Sequence, residues 1–481
     1  MYEAVFKNID DTLWKDAGCD SELDYIEQTS WILFLKYLDD FETEKETAAI
    51  LNGESYNRII DGKYRWNEWA APKRDDGSID YNSTTTGDDL LEFVNDNLFP
   101  YLAGFTETAE SPRSIEYKIG EIYSSIRNRL QSGYTLRDVI NKVEGLKFLS
   151  NEDKHELSSL YEDKIKNMGN AGRTGGQYYT PRPLIKSIVR EINPQIGETV
   201  YDGAVGSAGF LCEAYAWMRS KNELSATDYE RLQNNTFIGK EKGSLAYVIG
   251  IMNMILHGIE APNIQHTNTL TENIADIQQK DRVDVVLANP PFGGKERAEI
   301  QQNFPIKSSE TAYLFLQHFI KILKPGGRCG VVIKNTFLSN GDAASLRKQL
   351  LEECNLYAVL DLPKVFGKTG VKTVVLFFEK GTPTKRIFYY QLNVGRNIGL
   401  TNPLNSSDMD DFHRCMVEKC ITENSWILDI TDINSETWEL TVKSPNKIED
   451  VDSHTPQDII AEIETLNTKT SIALQVIKEL L

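Results

Sequence analysis

The sequence predicts a central α/β domain framed by an all-helical front and a helical tail. Three observations predict it. Between about residues 195 and 380, short apolar, β-branched runs alternate with helical segments, which is the pattern of βαβ units. Residues 1–165 carry apolar positions at helical spacing and no such strand runs. Near the end, Ile459, Ile463, Leu466, Thr470, Ala473, Ile477 and Leu480 are separated by alternating steps of four and three. The expected divisions are a helical domain over 1–165, an α/β domain over 166–385, a small mixed region over 386–455 and a helix over 456–481.

Composition narrows the class. A chain of 481 residues exceeds one ordinary core, and 40% hydrophobic with 26% charged residues excludes a disordered chain. No apolar run approaches the roughly 18 residues of a membrane span, and the start, Met1 to Lys7, lacks a signal-peptide profile. A cytoplasmic protein with no membrane partner is expected. The six cysteines include no Cys-x-x-Cys pair and the six histidines form no metal-spaced cluster, so neither a disulfide framework nor a metal is expected. A formal charge of −19 argues against an unaided grip on DNA, because phosphate neutralisation supplies most of such affinity. Neither a P-loop nor a nuclease cluster is readable.

In chain order, the first helical stretch is 23–38, apolar at helical spacing and ending in acids. Residues 72–89, with Pro72, Gly77, Thr84 and Gly87, read as a loop, and helical periodicity returns at 114–130 and 152–168. Trp14, Trp31, Trp66 and Trp69 are expected in the core or at contacts. Strands are expected at 199–201, 236–239, 284–288, 329–333, 357–360 and 374–378, with helices at 245–256, 312–323 and 343–351 between them. The 4-3 pattern of the tail favours a helix that packs on a partner helix over one docked on its own domain.

Two stretches carry chemistry. After the first strand comes Asp202-Gly203-Ala204-Val205-Gly206-Ser207-Ala208-Gly209, whose glycines allow a tight turn and close approach of a ligand. The next strand ends at Glu241, an acid suited to both hydroxyls of a ribose. With no Walker lysine after the turn, a nucleoside-like cofactor fits better than a triphosphate. The third strand ends at Asn289-Pro290-Pro291-Phe292. Neither proline can donate to the ladder, so a rigid elbow remains there, carrying an amide, the Pro290 carbonyl and a ring. Two acceptors match the two hydrogens of an amino group, and Phe292 can stack on the ring that bears it. A plain strand-closing turn is the competing reading of the tetrapeptide. Upstream, Gly172 to Pro183 precedes a helix and has the glycines and aromatics of a loop that closes over a ligand, or of a linker.

Taken together, Gln177-Tyr178-Tyr179-Thr180-Pro181-Arg182, Asp202 to Leu211, Glu241 and Asn289 to Phe292, in that order, resemble the modification (methyltransferase) subunits of type I restriction-modification systems. The likeness extends to Leu13-Trp14, Leu33 to Leu38, Asn253 to His257 and Val371-Lys372-Thr373, and so covers most of the chain. It implies a Rossmann-like, S-adenosylmethionine-dependent methyltransferase domain acting on adenine N6 in double-stranded DNA. The partners it implies are a separate specificity subunit, bound to two methyltransferase subunits, and a restriction subunit. By the same resemblance, Gln177, Tyr178, Tyr179, Thr180, Pro181, Arg182, Asp202, Gly203, Gly206, Ser207, Ala208 and Glu241 hold the cofactor. Asn289, Pro290, Pro291 and Phe292 form the catalytic elbow, and Asn268 lines the base pocket. The sequence departs from the family's usual turn, Asp-Pro-Ala-x-Gly-Thr-Gly-Gly, at Gly203, Ser207 and Ala208. A glutamine-side-chain methyltransferase of proteins, and a catalytically silent cofactor-binding scaffold, are the alternatives.

Overall fold

A computed structural model describes residues 2–148, 151–170, 179–221, 223–366, 371–399, 401–441, 444–446 and 456–480. The front is helical, as the periodicity predicts. Its main elements are α1 (Glu3–Leu13), α2 (Glu22–Leu51), α3 (Ile115–Ser125), α4 (Gly133–Glu144) and α5 (Asn151–Asn170). The Ser21 hydroxyl accepts from the Asp24 amide and caps α2, whose stretch Tyr25 to Leu38 is buried on every side. Its polar residues are enclosed with partners: Gln28 Nε2 donates to the Arg127 carbonyl at 3.1 Å, the Ser30 and Tyr161 hydroxyls lie 2.6 Å apart, and Lys36 Nζ donates to Asp40 at 2.7 Å. Trp31, Trp66 and Trp69 are in the core, whereas Trp14 is 72% exposed, so of the two expected settings, core or contact, the core does not apply to it. It follows α1 as the helix's C-terminal cap, where the chain turns and, among the described residues, no element covers it.

Among the described residues, the α/β part is one sheet of nine strands. They are β1 (Val200–Asp202), β2 (Phe237–Glu241), β3 (Ile264–His266), β4 (Val283–Ala288), β5 (Leu323–Lys334), β6 (Cys354–Asp361), β7 (Thr373–Lys380), β8 (Arg386–Gln391) and β9 (Ser425–Asp429). Their order is β3-β2-β1-β4-β5-β7-β6-β8-β9. Strands β1 to β5 run parallel, and β7 is inserted antiparallel between β5 and β6. The chain moves outward from β1 to β3, then returns to β4 on the other side. The order therefore reverses between β1 and β4, and ligands bind at the carboxyl ends beside such a reversal.

Three strands go beyond the sequence reading. β3 is only three residues long, and β8 and β9 lie in the expected mixed region. Both pair onto the same sheet, β8 with β6 and β9 with β8, so the expected boundary at 385 does not separate two sheets.

Helices α6 (Arg182–Ile192), α7 (Gly209–Lys221), α8 (Ser244–Leu256), α9 (Thr311–Ile322) and α10 (Ala344–Glu353) cover the two faces. On β4 the side chains alternate: Val285 and Leu287 join the core shared with the helical front, while Val286 and Ala288 join the core under α9 and α10. The front is fixed to the sheet by polar contacts as well. Buried Lys118 donates to the Ile264 carbonyl at 2.7 Å, and the Tyr247 hydroxyl donates to Glu121 at 2.8 Å.

The tail forms α11 (Pro456–Leu480), in which Ile459, Ile463, Leu466 and Ile477 all remain exposed. Among the described residues no helix is long and apolar enough to cross a membrane.

Close packing of α6 on β5 depends on Gly330. A Cβ there would lie 2.6 Å from Ile188 Cγ2 and 3.0 Å from Ile192 Cγ1. Gly330→Val is expected to destabilise the chain by about 1–3 kcal/mol through overpacking. This should appear as a lower denaturant midpoint at unchanged slope.

Candidate active site

The elbow is built by the end of β4. The ladder stops at Ala288 because Pro290 and Pro291 cannot donate to it. Asn289 follows, half-buried, and its Nδ2 donates to Thr180 Oγ1 at 2.9 Å. Its Oδ1 is enclosed and, among the described residues, has no hydrogen-bond partner. Among the described residues nothing donates to the Pro290 carbonyl either. Gly293 then takes a left-handed conformation (φ 78°), and its N–H points to Glu310 Oε1 at 3.3 Å. The same oxygen accepts from Lys334 Nζ at 3.0 Å, so the exit of the elbow is held by an ion pair. The Phe292 ring is half-buried and meets Phe366 edge-on, with centroids 5.3 Å apart at 77°.

The glycine-rich turn faces it from β1. Asp202 is buried, and burial pushes its carboxyl up to about 8 although the Ala204 amide donates to it at 2.9 Å. Gly206 and Ala208 both have positive φ, 54° and 60°. At Ala208 this costs an L-residue about 1 kcal/mol, and it is a position where the usual family turn has glycine. The Glu241 carboxylate links the two strand ends: Gly206 N–H donates to Oε2 at 2.8 Å and Gly243 N–H to Oε1 at 2.7 Å. Burial raises the Glu241 carboxyl, while these amides oppose the shift. Two further contacts support the turn from outside. Asn253 Nδ2 donates to the Ser207 carbonyl at 2.8 Å, and Thr269 Oγ1 donates to the Gly203 carbonyl at 2.6 Å.

A narrow cleft of about 20 Å³, room for a single water molecule, joins turn and elbow, lined by Thr180, Asp202, Gly206, Ser207, Phe210 and Asn289 among others, so a cofactor enters only as the side chains around it give way. The residues fit a nucleoside-like cofactor with a charged, polar end. A buried carboxylate ends β2, an open turn follows β1, and an unpaired acceptor stands at the far side.

The other expected site residues are distributed unevenly. Gln177 and Tyr178 lie outside the described residues. Tyr179 is half-buried against the core, and Pro181 is the N-cap of α6. Arg182 pairs with Glu162 of α5 and lies against Gly209, lining a separate cavity with Glu162, Cys212 and His257. Burial works against a charged His257, yet Cys212 and Glu162 beside it push its pKa up to about 10. Asn268 caps the short turn Thr269–Thr271, accepting from the Leu270 amide at 3.1 Å, and it is Thr269 that reaches the glycine-rich turn. Sequence reasoning gave no role to Asn253, Thr269, Glu162 or Phe366. Asn253 alone had a signal, as the polar residue in the otherwise apolar α8.

The raised Asp202 carboxyl has a consequence for stability. Its pKa is higher in the folded chain than the ordinary 3.8, so the folded chain holds the proton more tightly. This contribution is complete below the ordinary value and is lost as pH rises towards 8. Asp202→Asn is expected to flatten the fall in melting temperature between pH 5 and pH 8, measured on the full chain without added ligand.

Comparison with known proteins agrees with this geometry. Residues 152–454 match the family described as N-6 DNA Methylase, and residues 3–143 match the HsdM N-terminal domain. The type I restriction enzyme EcoEI methylase subunit of Escherichia coli is 35% identical, across 96% of this chain and 94% of its own. The EcoKI methylase subunit of Escherichia coli K12 is 27% identical, across 90% and 81%. Among solved structures, a chain from a study of complex assembly in a type I R-M system superposes with a TM-score of 0.80 at 36% identity, covering 99% of this chain and 97% of that one. A modification subunit of a putative type I restriction enzyme from Vibrio vulnificus YJ016 gives 0.80 at 35%, covering 94% and 98%. With its sheet order, its carboxylate-anchored turn and its asparagine elbow, the chain belongs to the N-6 DNA methylase family, among the methylase subunits of type I restriction enzymes.

Proposed function

We propose that this chain transfers a methyl group from S-adenosylmethionine to adenine N6 in double-stranded DNA, as the modification subunit of a type I restriction-modification complex. The observation that carries the reading is the enclosed, unpaired Oδ1 of Asn289 at the end of β4, beside a cleft that leads to the glycine-rich turn.

When bound, S-adenosylmethionine supplies an already activated methyl group. The difficulty lies with the nucleophile, because the lone pair of the adenine amino group is delocalised into the ring. Asn289 Oδ1 and the Pro290 carbonyl accept its two hydrogens, favour a pyramidal nitrogen and aim the lone pair. This is catalysis by positioning and by hydrogen bonds that strengthen towards the transition state. Pro291 keeps the elbow rigid. N6 is paired in the duplex, so the base must leave the stack at a cost of about a few kcal/mol. Phe292 offsets part of this, since stacking on an aromatic ring contributes roughly 1–3 kcal/mol per base. Glu241 takes the ribose hydroxyls, with Asp202 and the Gly206-Ser207-Ala208 backbone around the rest of the cofactor.

DNA and the other subunits of the complex are the partners in this reading, with a specificity subunit reading the sequence and two methyltransferase subunits bound to it. The exposed apolar stripe of α11 suits helix-on-helix docking to that subunit. Free thiols at all six cysteines suit a cytoplasmic setting. The working division is a helical front over 1–165, a catalytic domain over 166–385 whose sheet is continued by two strands of 386–455, and a docking tail over 456–481.

Asn289→Ala or Phe292→Ala is expected to leave S-adenosylmethionine affinity near wild type and to lower methylation of DNA by about a hundredfold or more. Calorimetry with the cofactor and a tritium-transfer assay on DNA check the two halves, and parental rates in either variant would reject the elbow. Deletion of residues 456–481 is expected to abolish co-purification of the specificity subunit while the remaining chain still melts cooperatively. Retention of the partner would reject the docking role.

A further inference from the structure

The elbow needs more than an asparagine, because an amide side chain has two ends of nearly equal shape. With oxygen towards the substrate it accepts from an amine. Turned by 180°, it presents N–H groups to N–H groups and blocks the reaction. What fixes the orientation must be a neighbour. Among the described residues, Asn289 makes one side-chain hydrogen bond, from Nδ2 to Thr180 Oγ1 at 2.9 Å. A hydroxyl can also donate, so the contact holds this orientation only while Thr180 Oγ1 accepts from Nδ2 and its own proton points elsewhere; in the arrangement observed, Oδ1 is the end without a partner among the described residues.

Thr180 is itself well fixed. It is followed by Pro181, the N-cap of α6, and Pro183 in the first turn of that helix. Both residues hold φ near one value. Helix α6 is seated on β5 through Ile188 and Ile192 against Gly330, and its first residue, Arg182, is ion-paired to Glu162. The threonine hydroxyl is thus presented from a rigid helix start, across the cleft from the turn.

We infer that Thr180 is a positioning residue for the reacting amide, holding Asn289 Nδ2 so that Oδ1 stays available to the amino group. This inference rests on the reading of Asn289 given above. It departs from the role that the family resemblance assigns to Thr180, that of a cofactor holder.

The test uses the full chain assembled with its specificity subunit and compares Thr180→Val, Thr180→Ser, Thr180→Ala and Asn289→Ala. Valine keeps the shape of threonine and removes the acceptor, and serine keeps the acceptor. Thr180→Val is expected to lower kcat for DNA methylation roughly ten- to hundredfold, the scale of a misplaced reacting group. The dissociation constant for S-adenosylmethionine should stay within about threefold. Thr180→Ser should recover most of kcat, which a purely packing role for the methyl group would not allow. If Thr180→Val does not fold, Thr180→Ala carries the same comparison.

Parental kcat in the valine variant overturns the inference. So does weakened cofactor binding with normal kcat at saturation, which would return Thr180 to the cofactor. A serine variant as slow as the valine variant overturns it as well. The Asn289→Ala control separates the two levels. If that variant is active, the elbow reading itself fails; if it is inactive while Thr180→Val is normal, only the positioning role fails.

Discussion

An amide oxygen enclosed in protein without a donor costs about 1–3 kcal/mol, and native structures rarely keep one without a use. Asn289 Oδ1 is such an atom. The surroundings restrict the side chain: two prolines stop the strand behind it, Thr180 accepts from its nitrogen, and Gly293 leaves by a left-handed step held to Glu310. A flexible loop would relax by turning the amide to a backbone partner. Placing the group at the end of a buried parallel strand prevents that, and the same rigidity suits a reaction catalysed by alignment.

The cofactor side follows the same logic with opposite charge. Asp202 and Glu241 are both taken out of water, and the raised Asp202 carboxyl records what that burial costs. Glu241 offsets its own burial by accepting two backbone amides, one from the turn and one from the start of α8's approach. These bonds tie the turn after β1 to the end of β2 and so set the width of the space between them. Ala208 carries strain at a left-handed position, and Asn253 holds the carbonyl just before it. Turn, carboxylate and supporting helix therefore act as one unit, whereas the sequence presents them as separate motifs.

The sequence disclosed the parts whose physics is local. Strands buried on both faces read as continuous apolar runs, so Val283–Ala288, parallel to its neighbours, and Thr373–Lys380, antiparallel to both of its own, were legible. The prolines announced where the ladder stops, and the glycines where the turn opens. What was hidden depends on contacts distant in sequence. β3 is too short to show a period, and β8 and β9 are strands because an exposed sheet edge was there to pair with. Trp14 read as core or contact by type, and only the path of the chain after α1 leaves it exposed. At the site, Asn289 was legible as an acceptor, but its partner Thr180 lies 109 residues away. Arg182 belongs to a run the family resemblance assigns to the cofactor, yet its charge is taken by Glu162, a residue in a helix with no other chemical signature.

That ion pair bears on why a methyltransferase of this kind carries a helical front. The front is joined to the α/β part by Lys118 to the Ile264 carbonyl and Tyr247 to Glu121, and within the front α5 is tied to α2 by the Ser30 and Tyr161 hydroxyls, 2.6 Å apart. Buried polar groups tolerate little displacement, because a broken contact leaves an unsatisfied partner. α5 packs against α2 through Tyr161, and one residue later Glu162 reaches both Arg182 and, at 3.2 Å, His257. Arg182 opens the helix that Thr180 precedes by two residues, and Thr180 accepts from the Asn289 side chain. The front is therefore continuous, through side chains that are mostly out of water, with the amide at the end of β4. A helical domain that only added bulk would have no reason to be anchored at that helix start.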